Sequence, residues 1–199
     1  MVVKLLTTFA QISDMERNAA YAMLTCHANT HKLMEEKPEV FVKRAMKLHH
    51  DTVLEHIYLT YELNNLSRAC LQELARHRHI TLSVESTRHT LKAKIFNEEW
   101  YLKMLYEMEK LQSLSLQTFR GIAESLKDAS NDELKYYLPE WWPTNLVMTA
   151  NVREMRHIVS LRTAPAALKE FQDLAWKFVE VMPQRFRYLL DCIDGINRD

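Results

Sequence analysis

Apolar and polar residues alternate along Glu55–Leu63 (EHIYLTYEL), the period-2 pattern of a strand with one buried face, in a run rich in Tyr, Ile and Thr. Val2–Phe9 reads as another strand. Most of the remaining pattern is helical. Ser13 is placed to cap a helix running to about Cys26, and Pro38–His49 predicts a second helix with proline at its first position. Asn64 and Asn65 predict a turn. Ser67 then caps a short helix, SRACLQELARH, whose Ala69, Cys70, Leu71 and Leu74 fit the helical period. Thr81–Thr87 has the composition of a strand or an extended loop. Asn97–Lys127 is the longest helical pattern, with Trp100, Met104, Leu105, Met108, Leu111, Phe119, Ile122 and Leu126 on one broad face. Leu102, Leu114 and Leu116 lie off that face, the pattern of a fully buried helix or of one at a subunit interface. Ser130 and Glu133 have capping-box spacing before ELKYYL. Pro139 and Pro143 bracket EWWPT, Thr144–Ala150 reads as a strand, and Asn151–Arg162 as a helix. Ala164–Val181 predicts a last amphipathic helix, stopped by Pro183. Helices around one small mixed or antiparallel sheet make an α+β fold. With no linker or repeat, residues 1–199 are expected to form a single domain.

Composition narrows the function classes. The 199-residue chain carries 26 basic and 26 acidic side chains, so it lacks the basic excess of a general nucleic-acid or membrane-surface binder. No apolar run approaches the roughly 20 residues needed to span a bilayer, and the first residues lack the pattern of a signal peptide. Cys26, Cys70 and Cys192 are widely spaced and without CxxC, which fits a reducing, cytoplasmic setting. The two glycines, Gly121 and Gly195, exclude a Walker A loop or a GxGxxG turn. A phosphate ligand would have to be held by Arg, Lys, His and Ser side chains, or by amides at a helix N-terminus.

Against that neutral balance, RHRHITLSVESTRH (Arg76–His89) gathers three arginines and three histidines in fourteen residues. A solvated basic patch is the bland reading. Glu85 is the only carboxylate from Arg76 to Arg88, however, and Thr81, Ser83, Ser86 and Thr87 interleave hydroxyls suited to phosphate or sugar oxygens. Together with arginine's bidentate fork, these favour an anion pocket. His49, His50, Asp51 and His56 form a second cluster, open to two readings: a metal site of the kind found in phosphohydrolases, or a histidine paired with a neighbouring carboxylate. In a third, helical segment Arg153, His157 and Leu161 share one face, with Arg162 near its end. Ser86 lacks a GxSxG context, and Cys70 sits among apolar residues as a core cysteine does.

The spacing Arg76-His77-Arg78, seven residues, Ser86 resembles the RHRx7S signature of flavin-dependent thymidylate synthases, the ThyX type. HDTVLEH (His50–His56), LPEWWPTNLVMTANVR (Leu138–Arg153) and REMRHIVSLR up to Arg162 resemble further blocks of that family in the same order. The resemblance implies an α+β homotetramer with active sites shared between subunits. It implies synthesis of dTMP from dUMP, with the carbon from 5,10-methylenetetrahydrofolate and electrons from NADPH through FAD. By motif match, Glu73, Arg76, Glu85, Ser86, Thr87, Arg88, Lys135 and Arg162 would contact dUMP, with Arg162 catalytic through its action on the pyrimidine ring. His50, Thr52, Arg76, His77, Arg78, Val84, Asn151, Arg153 and His157 would contact FAD. No metal, nucleic acid or membrane is implied. The chain departs from the family pattern at Glu73 (commonly Gln), Ser83-Val84 (Asn-Glu), His89 (Tyr), Lys135 (Arg) and His157 (Asn). Read from the residues alone, two rivals stand beside this: a metal-dependent phosphohydrolase built on His49, His50, Asp51 and His56, and an RNA- or anion-binding module built on the arginine cluster.

Overall fold

The computed structural model describes residues 1–192; Gly195 lies outside them. Four antiparallel strands, β1 (Val2–Leu5), β2 (Tyr58–Ser67), β3 (Ile80–Val84) and β4 (Pro143–Asn151), form one sheet in the order β1-β2-β4-β3. The alternation in β2 and β4 explains the layering. Leu59, Tyr61, Leu63, Leu146, Met148 and Ala150 point into the core. Thr60 and Thr149 line the other face and share a 2.9 Å hydroxyl hydrogen bond.

Several boundaries differ from the sequence reading. The first helix, α1 (Phe9–Thr25), starts before Ser13. Thr8 is its cap, in a reciprocal box with Gln11: the Gln11 amide donates to the Thr8 hydroxyl and the Thr8 amide to Gln11 Oε1. β1 therefore ends at Leu5. Helix α2 (Pro38–Lys47) carries the expected proline at its start. Glu55 and His56 belong to a 3₁₀ turn, Asp51–His56, and not to the strand. β2 continues through Asn64–Asn65, where a register shift between Leu63 and Leu66 and φ of 59° at Asn65 mark a bulge in place of a turn. Ser67 caps α3 (Arg68–Ala75) through the Cys70 amide, as expected.

Helix α4 (Thr87–Ile95) has no counterpart in the pattern reading. Only Leu91 and Ile95 of it are buried, too few to register as a stripe. The single helix expected over Asn97–Lys127 is two, α5 (Glu98–Glu107) and α6 (Lys110–Ser125), broken where Met108 turns extended at ψ 149°. The Ser113 hydroxyl donates to the Leu105 and Met108 carbonyls at that break. Folding back explains part of the two-sided apolar pattern, since Met104 and Leu116 join one core with Leu91, Ile95, Phe119 and Trp142. Leu102 and Leu114 stay exposed.

Helix α7 (Asn131–Leu134) has the expected capping box of Ser130 and Glu133. It leads into a 3₁₀ turn, Lys135–Tyr137. Helix α8 (Val152–Arg162) follows β4 directly, capped by Asn151. The last helix, α9 (Lys169–Glu180), starts after Leu168, five residues later than expected. The main core lies between the sheet and helices α1, α8 and α9, where Tyr61 and Phe178 meet with ring centroids 4.8 Å apart.

Candidate functional site

The C-terminal end of α3, the C-terminal end of α8 and the start of α9 converge on Arg162. Its Nε donates to His77 Nε2 at 3.1 Å, Nη1 to Glu73 Oε2 at 2.9 Å and Nη2 to the Glu73 carbonyl at 3.3 Å. The guanidinium lies over the Phe171 ring, 4.6 Å from its centroid. Phe171 thus removes one face from water while the other borders a cleft. His77 is buried; its other nitrogen, Nδ1, lies 3.2 Å from the buried Glu154 carboxylate. Burial pushes the His77 pKa below its ordinary value and the Arg162 charge adds to this, outweighing Glu154. His77 is therefore neutral at pH 7. The Arg162 hydrogen bond holds the Glu73 carboxyl below the usual range, so Glu73 is ionised there.

Three clefts lie in a row beside this cluster. The first, about 420 Å³, is lined by Arg76, His77, His157, Leu161 and Arg162 together with a run of alanines. The second, about 460 Å³, is lined by Glu55, His79, Asn151, Arg153, Glu154 and His157. The third, about 420 Å³, includes His27, His49, His50, Asp51, Thr52 and Arg153. His157 is common to the first and second, and Arg153 to the second and third. The helical spacing read from the sequence is the cause: Arg153, His157 and Leu161 run along one side of α8 and string the clefts together. Arg153 is tethered by Glu55 at 2.5 Å.

A second group of expected site residues lies at the far end of β3. Ser86 is the cap residue of α4 yet makes no side-chain capping bond among the described residues, leaving its hydroxyl and the Thr87 and Arg88 amides available to an anion. Arg88 Nε and Lys135 Nζ both bond Asp132, at 3.0 and 3.2 Å, and these contacts, Lys135 first, hold the Asp132 carboxyl low. Glu85 is less free than its neighbours. Burial raises its pKa, but bonds from Lys94, Thr90 and Asn145 outweigh that and keep it ionised. Val84 ends β3 and is exposed, and Arg78 is exposed at the turn leading into the strand.

Within the chain, then, the expected residues divide into two groups. Arg76, His77, Glu73 and Arg162 meet at one end of β3, with His157, Asn151, Arg153, His50 and Thr52 continuing along the clefts. Glu85, Ser86, Thr87, Arg88 and Lys135 gather at the other. Five strand residues at about 3.3 Å each hold these ends on the order of 15 Å apart.

Glu154, Phe171, Glu55 and Asp132 were not among the residues singled out in the sequence. A signal existed for one of them: Asn151-Val-Arg-Glu154 has the spacing of a capping box, and the Glu154 amide does donate to Asn151 at 2.8 Å. Its carboxylate turns to His77 instead. Of the residues of the phosphohydrolase alternative, His49, His50 and Asp51 line the third cleft, whereas His56, at the end of the 3₁₀ turn, does not. Among the described residues no three His, Cys, Asp or Glu side chains converge as metal ligands. Burial pushes the Cys70 thiol up to about 12, and Glu170 adds to it, so Cys70 is a poor nucleophile.

Known proteins share this chain's sequence pattern and fold. The family described as "Thymidylate synthase complementing protein" matches residues 6–186. A flavin-dependent thymidylate synthase of Wolinella succinogenes is 37% identical over 183 residues, 85% of this chain and 90% of that protein. One from Campylobacter jejuni is 35% identical over 168 residues, 79% of this chain and 81% of that protein. A crystal structure of thymidylate synthase X from Helicobacter pylori, with FAD and dUMP, superposes with a TM-score of 0.81 at 29% identity, covering all of both chains. The α3–α8–α9 cluster and the α4 N-terminus therefore sit on a shared scaffold, and the chain belongs to the thymidylate synthase complementing protein family, the flavin-dependent thymidylate synthases.

Proposed function

We propose that this chain reductively methylates dUMP to dTMP, with FAD in the row of clefts along α8, 5,10-methylenetetrahydrofolate as carbon donor and NADPH as reductant. The observation that carries the reading is that neighbouring clefts share a lining residue of α8, His157 between the first two and Arg153 between the last two. An elongated dinucleotide fits such a row, and its phosphates need cationic side chains in a chain without a glycine-rich loop. Arg153, Arg76, His157 and Asn151 are of the right chemistry to hold it, with His50 and Thr52 at the far cleft. His77, Arg78 and Val84 complete the proposed flavin contacts. Bound flavin supplies the hydride that completes the methyl group. The Helicobacter pylori protein, with FAD and dUMP in its crystal structure, supports the same pairing of ligands.

The chain's own residues bind and orient. Ser86, Thr87 and Arg88 take the dUMP phosphate with the Thr87 and Arg88 amides of α4, and Lys135 adds charge. Glu85, held by Lys94 and Asn145, joins these dUMP contacts at that end of β3. At the other end, Arg162 faces the pyrimidine and stabilises negative charge that develops on the ring, in a cleft where Phe171 excludes water from one side of the guanidinium. No enzyme nucleophile is needed. One nucleotide must meet both ends, yet β3 separates them within one protomer, which supports a homotetramer in which a second copy completes each site. Residues 1–199 are proposed to form one domain, acting in the cytoplasm.

Purified protein tests the cofactor directly. A yellow protein that releases flavin on denaturation is expected; bound metal without flavin, or salt-sensitive RNA binding without either, would count against the reading. Arg88→Ala is expected to weaken dUMP binding by roughly 1.5–3 kcal/mol, the range for a charged hydrogen bond. Titration with unchanged dUMP affinity would remove Arg88 from the phosphate site.

A further inference from the structure

We propose that Glu154 is a positioning residue for this site, setting the orientation of the Arg162 guanidinium through His77. The inference rests on the reading of Arg162 given above, and the geometry carries it further. Arginine nitrogens only donate hydrogen bonds and stay protonated. Arg162 Nε lies 3.1 Å from His77 Nε2, so Nε2 must present a lone pair. The ring is then neutral with its proton on Nδ1, 3.2 Å from Glu154 Oε1, which accepts it. The other tautomer would set two N–H donors against each other at Arg162 and a lone pair against a carboxylate at Glu154. An imidazolium would satisfy Glu154 and repel Arg162. One arrangement satisfies every contact, and Glu154 selects it.

The surroundings leave few alternatives. The groups facing His77 are Glu154, His157 and Arg162 from α8, and Phe171 from α9, whose ring centroid lies 6.0 Å away. Glu154 is fixed in turn, on the first turn of α8 with its amide bonded to Asn151. A carboxylate that is only 11% exposed is costly to keep without a partner, and His77 is the partner it has. With Nε committed to His77 and one N–H of each terminal nitrogen committed to Glu73, one N–H on Nη1 and one on Nη2 remain for the cleft. The direction of those two donors follows from the angle at which His77 holds Nε.

The test compares Glu154→Gln and Glu154→Ala in the full-length, flavin-loaded protein. Nitrogen-15 NMR of labelled histidines reports the tautomer, with the His77 signal assigned from a His77→Gln spectrum. The parent protein is expected to show an Nδ1–H, Nε2-acceptor pattern at His77. Gln keeps an oxygen that accepts the Nδ1 proton, so Glu154→Gln is expected to keep that pattern and turnover within a few-fold. Glu154→Ala is expected to mix the tautomers and lower kcat by about 10–100-fold, the loss typical when the carboxylate orienting a metal-binding histidine is removed. The KM for dUMP is expected to stay unchanged, and kcat is taken per bound flavin because Glu154 also lines the second cleft. The proposal is overturned if Glu154→Ala keeps the Nδ1–H pattern, or if Gln loses as much turnover as Ala. Absence of dTMP formation by the parent protein would defeat the functional reading alone, because the tautomer is read without substrate.

Discussion

Arg162→Ala is expected to lower dTMP formation by about 10²–10³-fold while flavin stays bound. The magnitude is that of removing one preorganised donor from a developing negative charge. Two features of the site argue for the upper end. The guanidinium is only 13% exposed, so its charge acts in a poorly solvated cleft. Glu73, His77 and Phe171 hold it in one orientation, so little reorganisation is needed when charge develops. Arg153 and Asn151, farther along the clefts, are untouched by the change, so flavin retention is expected. Arg162→Lys keeps a charge but not the planar fork, and it is expected to recover only part of the loss. Steady-state rates with flavin quantified on the same sample make the check. Unchanged dTMP formation in Arg162→Ala would remove the residue from the reaction.

The second large effect lies in the core. Phe178→Ala is expected to cost about 3–5 kcal/mol of stability, the usual range for a buried aromatic cut to alanine. Phe178 is fully buried and its ring packs on Tyr61 of β2, so the change removes both burial and an aromatic pair. Its position also couples fold to site. Phe178 lies two helical turns beyond Phe171 on the same side of α9, and Phe171 carries the Arg162 guanidinium. Loosening α9 from the sheet should therefore lower turnover at temperatures where the protein is still folded. Phe178→Leu, which leaves a smaller cavity, is expected to lose less than half as much. Urea unfolding measures both, and a loss below about 1 kcal/mol for Phe178→Ala would mean that α9 does not depend on this contact.

The sequence was legible where one residue type determines one local outcome. Pro38 at a helix start, Ser67 and Ser130 as caps, and a strand over Thr144–Ala150 all appear in the structure as expected. Boundaries failed where a side-chain bond competed with a periodic pattern. Gln11 draws Thr8 into a cap and starts α1 four residues before Ser13, and the β2 bulge absorbs two asparagines that read as a turn. α4 was hidden because its exposed, mostly polar face leaves only two buried positions. At the site, cationic and hydroxyl residues were readable as anion ligands because their chemistry is specific. Glu154 and Phe171 were not, since a glutamate in a helix's first turn and a phenylalanine on an amphipathic helix have ordinary explanations. Only the approach of α9 and α3 to the end of α8 gives them a role at Arg162. The spacing of RHRx7S joined two half-sites in sequence that the fold sets at opposite ends of one strand.

The most direct test of the central claim is a single assay: dUMP, methylenetetrahydrofolate, NADPH and FAD with purified protein, and dTMP as the readout. The account predicts dTMP that depends on all four additions, with FAD dispensable only where it co-purifies. No dTMP from folded, flavin-loaded protein, or dTMP formed without flavin, would contradict it.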